Sequence, residues 1–202
     1  RQFVQMSTIA VFGSASRISE TTPERPQTYY GSSKLKADKE LVAMSDREFK
    51  AAIIRPPMAY GGGMAPGNML RLIRLVNKHI PLPFGSARNS RDFINVKNLV
   101  EFIHLAVEKE VEGVFYPTDK VPYSTRNVVE EISRQLGVHT INLPSPSIFL
   151  KLIEKVRPDL YQKLWGDVVI DRQLALSAIG YEPRYTLEDG IREMVESFKQ
   201  QK

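Results

Sequence analysis

Thr28-Tyr29-Tyr30-Gly31-Ser32-Ser33-Lys34-Leu35 is the stretch from which the fold can be read. Before it, Ser14 to Thr28 is rich in Ser, Thr, Pro and Arg and reads as a loop. From Tyr29 to about Arg47 the pattern is helical, with Leu35, Leu41 and Val42 set in a dense charged face. Further upstream, Phe3 to Phe12 has strand composition and ends at Gly13. Downstream, Lys50-Ala-Ala-Ile-Ile-Arg55 is a short buried strand stopped by Pro56-Pro57. Strand, helix and strand in that order predict an α/β fold.

The same alternation continues. Asn68 to Lys78 forms an amphipathic helix carrying Leu70, Ile73 and Val76. Phe93 to Val96 is a strand, Lys97 to Val107 a helix, and Gly113 to Pro117 a strand. Ser124 caps a helix that ends at Gly137. Pro144 to Val156 and Asp171 to about Ile179 are two more helices. The last opens on Thr186-Leu-Glu-Asp189, which has capping-box spacing with Asp at the acidic position. In the Pro144–Val156 segment, Ile148, Phe149, Leu152, Ile153 and Val156 form an apolar stripe beside Lys151 and Lys155. Packing against a substrate pocket is the first reading of that stripe, and lying on a membrane surface the second.

Composition narrows the chemistry. With 42% hydrophobic and 25% charged residues, the 202-residue chain has the means for an ordinary globular core. It holds no cysteine, which removes disulfides, thiolate zinc sites and thiol catalysis. Its three histidines, His79, His104 and His139, are far apart, so no metal site is expected. The net charge of +5 is spread along the chain, which argues against nucleic acid and suits a phosphorylated small substrate. No apolar run approaches a membrane span and no signal peptide is visible, so the cytoplasm is the expected location.

Tyr30 and Lys34 are one helical turn apart on the same face. Free tyrosine has a pKa near ~10, and a fixed ammonium one turn away favours the phenolate, as a general base requires. The spacing alone is weak evidence, since Tyr116-Pro-Thr-Asp-Lys120 repeats it across a strand end and turn. Context decides between them. Ser7-Thr8-Ile-Ala-Val-Phe-Gly13 precedes the Tyr30 block. Ile54-Arg55-Pro56-Pro57-Met58-Ala59-Tyr60-Gly61 and Arg91-Asp92-Phe93-Ile94-Asn95-Val96 follow it.

This ordered series resembles the extended short-chain dehydrogenase/reductases, and among them the nucleoside-diphosphate-sugar epimerase/dehydratase family. The branch it is most similar to contains the UDP-hexose and UDP-N-acetylhexosamine 4-epimerases and reductases of surface polysaccharide synthesis. The resemblance implies a Rossmann-type parallel sheet with a small α/β substrate-binding lobe. It implies Thr8, Tyr30 and Lys34 as catalytic residues, with Thr8 bonding the sugar oxygen and Lys34 the nicotinamide ribose. Tyr30, Lys34 and Pro57 would contact NAD, or NADP. Thr8, Met58, Asn68, Arg91 and Val168 would contact the nucleotide-sugar, Arg91 through the diphosphate. The plain alternatives are a turn-satisfying Thr8, a helix-capping role at Gly67-Asn68, an Arg91–Asp92 salt bridge and a core-facing Val168.

Departures from the family pattern matter equally. The glycine-rich dinucleotide loop has no counterpart, since Gly61-Gly-Gly63 follows the wrong strand. The chain is therefore expected to hold only the C-terminal half of the Rossmann-type sheet, over residues 1–60. Residues 61–202 would be mainly the substrate lobe, with segments returning to the first domain. A second diphosphate-binding arginine has no clear match, and Lys163 is out of register. The expected reaction of the whole protein is NAD(P)-dependent epimerisation at C4 of a UDP-sugar, with this chain inactive by itself. Reduction of a UDP-4-keto-6-deoxy sugar is the first alternative, and non-catalytic sugar-nucleotide binding the second. Elimination is disfavoured, because dehydratases carry Asp-Glu where this chain has Ile9-Ala10. A homodimer through the Tyr30 helix is possible on the family pattern.

Overall fold

The computed structural model describes residues 1–63, 67–176 and 179–200. In chain order the elements are β1 Gln2–Met6, β2 Arg17–Ile18, α1 Tyr29–Met44, β3 Lys50–Ile54, β4 Met58–Tyr60 and α2 Asn68–Asn77. There follow β5 Phe93–Asn95, α3 Val96–Glu108, β6 Gly113–Phe115, α4 Thr125–Leu136, α5 Ser147–Val156 and α6 Pro158–Leu164. The chain closes with β7 Val169–Ile170, α7 Arg172–Leu176 and α8 Leu187–Gln200. Ser177 and Ala178, expected as helix, lie outside the described residues.

The chain forms two compact units. The first comprises Arg1–Ala59, Asp92–Val121 and Val168–Arg184. Its sheet has the order β1-β3-β6, with both pairings parallel. Parallel neighbours need crossover connections, and α1 supplies the one between β1 and β3. Ala51 to Ile54 are all buried, as expected of a strand covered on both faces. Ala52 and Ile54 pack with Leu99, Phe102 and Ala106 of α3, and with Phe115 and Tyr181. A second parallel pair, β2 with β7, buries Ile18 and Ile170 beside Val11, Phe12 and Leu35.

The expected strand over Phe3 to Phe12 is shorter in the structure. It ends at Met6, because the Thr8 hydroxyl accepts the Ala10 N–H at 3.1 Å and starts a single 3-10 turn over Ile9–Phe12. Gly13 closes that turn with φ 65°, and a Cβ there would run into the Arg25 carbonyl.

The second unit comprises Tyr60–Arg91, Pro122–Asp167 and Tyr185–Lys202. Its core is built from α2, α4 and α8, which bury Leu70, Ile73, Val76, Val129, Ile132, Met194 and Val195. Ser124 and Asn127 form a reciprocal capping box on α4, and Gly137 ends it in the left-handed conformation. Thr186 and Asp189 do the same at the start of α8, with Thr186 N to Asp189 Oδ2 at 2.9 Å. The expected helix from Pro144 begins only at Ser147 and is followed by a second one, with Pro158 at its first position. Of the α5 stripe, Ile148, Leu152 and Val156 face solvent, and Ile153 is half-buried. The side chain of Phe149 lies outside the described set.

Candidate active site

The candidate site grows from the C-terminal ends of β1 and β3, where ligands sit in open parallel sheets. Ser7 N–H donates to the Ile54 carbonyl at 2.7 Å, and Ile9 N–H to the Pro56 carbonyl at 3.3 Å. The segment bearing Thr8 therefore lies along the segment leading to Pro57. α1 enters from the other side. Thr28 caps it by accepting the Gly31 N–H at 3.1 Å, which puts Tyr30 in the first turn. Tyr30 is 56% exposed, so its ring is not a core element. Lys34, one turn on, donates from Nζ to the Met6 carbonyl at 2.9 Å. That bond fixes the ammonium at the last residue of β1 and leaves two of its three N–H donors for other partners.

Gly31, between the two, explains the close approach. A Cβ there would stand 2.7 Å from the Ala10 carbonyl oxygen and 3.1 Å from Pro26 Cβ. Only glycine lets α1 press onto the turn that Thr8 caps. The turn that Thr8 caps and the helix that bears Tyr30 and Lys34 thus meet in close backbone contact at Gly31.

Beneath them runs a buried polar network that the sequence reading did not single out. Asp38 is 1% exposed and shares the buried face of α1 with Gly31 and Leu35. Its Oδ2 accepts Ser7 Oγ at 2.6 Å and Arg55 Nε at 2.9 Å. Arg55 also meets Glu24 at 2.7 Å and Tyr116 Oη at 3.3 Å, and stands 5.5 Å from the Phe12 ring centroid. Burial by itself would lower the Arg55 guanidinium, but Tyr116, Glu24 and Asp38 together raise it. Burial likewise pushes the Tyr116 phenol up, against the pull of Arg55. Tyr116 is therefore a structural phenol at a strand end, and Tyr116–Lys120 is not helical. The network ties together the ends of β1 and β3, the middle of α1, the Glu24 loop and the residue after β6.

The other expected contacts are distributed between the units. Pro57 is buried and Met58 is partly exposed at the start of β4. Val168 is half-buried, and its carbonyl accepts Asp92 N–H at 2.8 Å just before β7. Asp92 is buried and pairs with Arg172 at 2.6 Å, and this pairing replaces the considered bridge to Arg91. Burial raises the Asp92 carboxyl, while Ile170 N–H and Arg172 oppose the shift. In the second unit, Asn68 is the exposed first residue of α2, and Gly67 before it makes no side-chain cap. Arg91 Nη1 donates to the carbonyls of Gln162 and Gly166, at 2.8 and 2.7 Å. Burial lowers its guanidinium and Asp167 partly restores it. Among the described residues there is no group of three His, Asp or Glu side chains able to hold a metal.

Comparison with known proteins assigns the family. The model of the NAD dependent epimerase/dehydratase family matches residues 1–116, more than half of the chain. The chain belongs to this family. Across 210 residues it is 33% identical to a UDP-glucose 4-epimerase of Vibrio cholerae, covering 99% of this chain and 64% of that protein. The crystal structure of the UDP-glucuronic acid 4-epimerase from Bacillus cereus in complex with NAD superposes with a TM-score of 0.76 at 22% identity. It covers 98% of this chain and 60% of its own. The UDP-Glc/GlcNAc 4-epimerase from Campylobacter jejuni gives 0.71 at 22%, over 98% and 64%. The epimerase/dehydratase fold is thus shared, and β1-β3-β6 is a parallel sheet of its Rossmann type. The chain spans just under two thirds of the length of these relatives.

Proposed function

We propose that the natural full-length protein interconverts the C4 epimers of a UDP-sugar of the UDP-glucose or UDP-N-acetylglucosamine type, with NAD as cofactor, in surface polysaccharide synthesis. The observation that carries this reading is the anchoring of Lys34 to the Met6 carbonyl one turn from an exposed Tyr30. Family membership and the 33% identity to a UDP-glucose 4-epimerase support the choice of reaction.

Tyr30 removes the proton of the sugar 4-hydroxyl and returns it after inversion. Lys34 places positive charge one turn from the phenolic oxygen, where negative charge develops. Its remaining donors fit the ribose hydroxyls of a nicotinamide nucleotide, and the backbone at Pro57 would line the ring. NAD, when bound, accepts the C4 hydride and gives it back to the other face. Thr8, whose hydroxyl oxygen already accepts Ala10 N–H, has its O–H proton to offer to the sugar oxygen. Arg91 would meet the diphosphate, Asn68 the uridine end, and Met58 and Val168 the sugar. Elimination of the 5,6-dehydration type is disfavoured, because the turn after Thr8 presents Ile9 and Ala10 in place of carboxyl groups.

The test is incubation of the natural full-length protein with NAD and UDP-glucose, then with UDP-N-acetylglucosamine, following C4 configuration by proton NMR. A mixture of C4 epimers approached from either side supports the reading. Absence of conversion, or accumulation of reduced cofactor beside a keto sugar without inversion, removes it.

A further inference from the structure

The exposed apolar stripe on α5 is unused by this chemistry. Ile148 is 80%, Leu152 60% and Val156 63% exposed, and Leu160 continues the series on α6 at 40%. Residues four apart on a helix stack on one face, so the first three form a single ridge. The second unit closes its own core with α2, α4 and α8 and leaves this ridge uncovered. A contiguous apolar ridge of this kind marks a contact surface, whereas scattered exposed residues do not.

Charge selects what it contacts. Lys151 follows Ile148 by three positions and Lys155 follows Leu152 by three, so both lysines run along one flank of the ridge. Both are exposed, and neither forms an ion pair with a described residue. The acid of α5, Glu154, is two positions from Leu152 and from Val156, which turns it to the opposite side of the helix. A second copy docked ridge to ridge would bring four lysines to one seam, which disfavours self-association. An apolar ridge flanked by exposed lysines matches a lipid boundary with anionic headgroups, where lysine stems can lie along apolar groups while the charged heads reach outward.

We propose that α5 seats the protein on the surface of an anionic phospholipid bilayer, with Ile148, Leu152 and Val156 in the headgroup region and Lys151 and Lys155 on lipid phosphates. This is peripheral binding, since no helix among the described residues is long and apolar enough to cross a membrane. It does not depend on the proposed reaction.

The test is co-sedimentation of the natural full-length protein with vesicles of phosphatidylcholine alone or mixed with phosphatidylglycerol. Binding to the mixed vesicles, weakened by salt, is expected. Each lysine near an anionic surface contributes about fivefold in affinity, so Lys151→Glu with Lys155→Glu should weaken binding by at least about 25-fold. Ile148→Ser with Leu152→Ser and Val156→Ser should abolish it. All five positions are exposed, so both variants should keep the wild-type melting temperature. Wild-type protein that stays in the supernatant overturns the proposal, including where the ridge proves to be covered by another part of the protein or by a second copy. Binding unchanged in either variant overturns it as well.

Discussion

Replacing Gly31 by alanine tests whether one backbone contact sets the geometry of the site. The added methyl would stand 2.7 Å from the Ala10 oxygen and 3.1 Å from Pro26 Cβ. Neither neighbour is the free end of a flexible side chain, so α1 and the Thr8 turn must separate by about 0.5 Å to restore van der Waals contact. Overpacking of this kind costs about 1–3 kcal/mol, and the helix propensity of alanine over glycine offsets about 1 kcal/mol of it. A net loss of about 0–2 kcal/mol is expected, small enough for the variant to fold. Catalysis should suffer more than stability. A misplacement of 1 Å costs about 100-fold, so about half that shift should lower kcat by about tenfold. KM for the UDP-sugar should change little, because the uridine and diphosphate contacts are assigned elsewhere. The assay is steady-state epimerisation by the full-length variant, with urea denaturation as the stability control. A folded Gly31→Ala protein with wild-type kcat would refute the reasoning, since the contact could then relax without moving Tyr30 relative to Thr8.

Three further outcomes follow from the same geometry. Tyr30→Phe should lower turnover between about 100- and 10,000-fold while NAD binding, read by fluorescence titration, is retained, because only the proton carrier is removed. Arg55→Met should cost about 3–5 kcal/mol in urea denaturation, since it leaves Asp38 buried without its cation; adding Asp38→Asn should recover part of that loss. Val168→Tyr should lower kcat/KM for UDP-N-acetylglucosamine by about tenfold or more and spare UDP-glucose, and an unchanged ratio would remove Val168 from the sugar pocket.

Much of the fold was legible because the relevant signals are local. Periodicity fixed α1, α2 and α4 to within a few residues, and Ser124, Gly137 and Thr186 marked helix ends through cap chemistry that acts within one turn. Where the reading missed, a longer-range or competing interaction intervened. Ile9 to Phe12 have strand composition, but the Thr8 cap diverts them into a 3-10 turn. Asp38 lies in a dense run of charges, where nothing local separates it from solvated neighbours; its burial follows from Ser7 and Arg55, which are distant in sequence. Gly31 carries no sequence signal of its close approach to Ala10. The α5 stripe shows the reverse limit. The same apolar spacing serves a core or a surface, and only the exposure of Ile148, Leu152 and Val156 distinguishes them.

The most direct test of the central claim uses a UDP-sugar carrying deuterium at C4, incubated with the full-length protein and NAD and followed by NMR and mass spectrometry. If Tyr30 moves the hydroxyl proton while the C4 hydride leaves and returns within one active site, the inverted product retains deuterium at C4 and no net reduced cofactor accumulates. Deuterium lost to water, or held in reduced cofactor beside a keto sugar, would contradict the account.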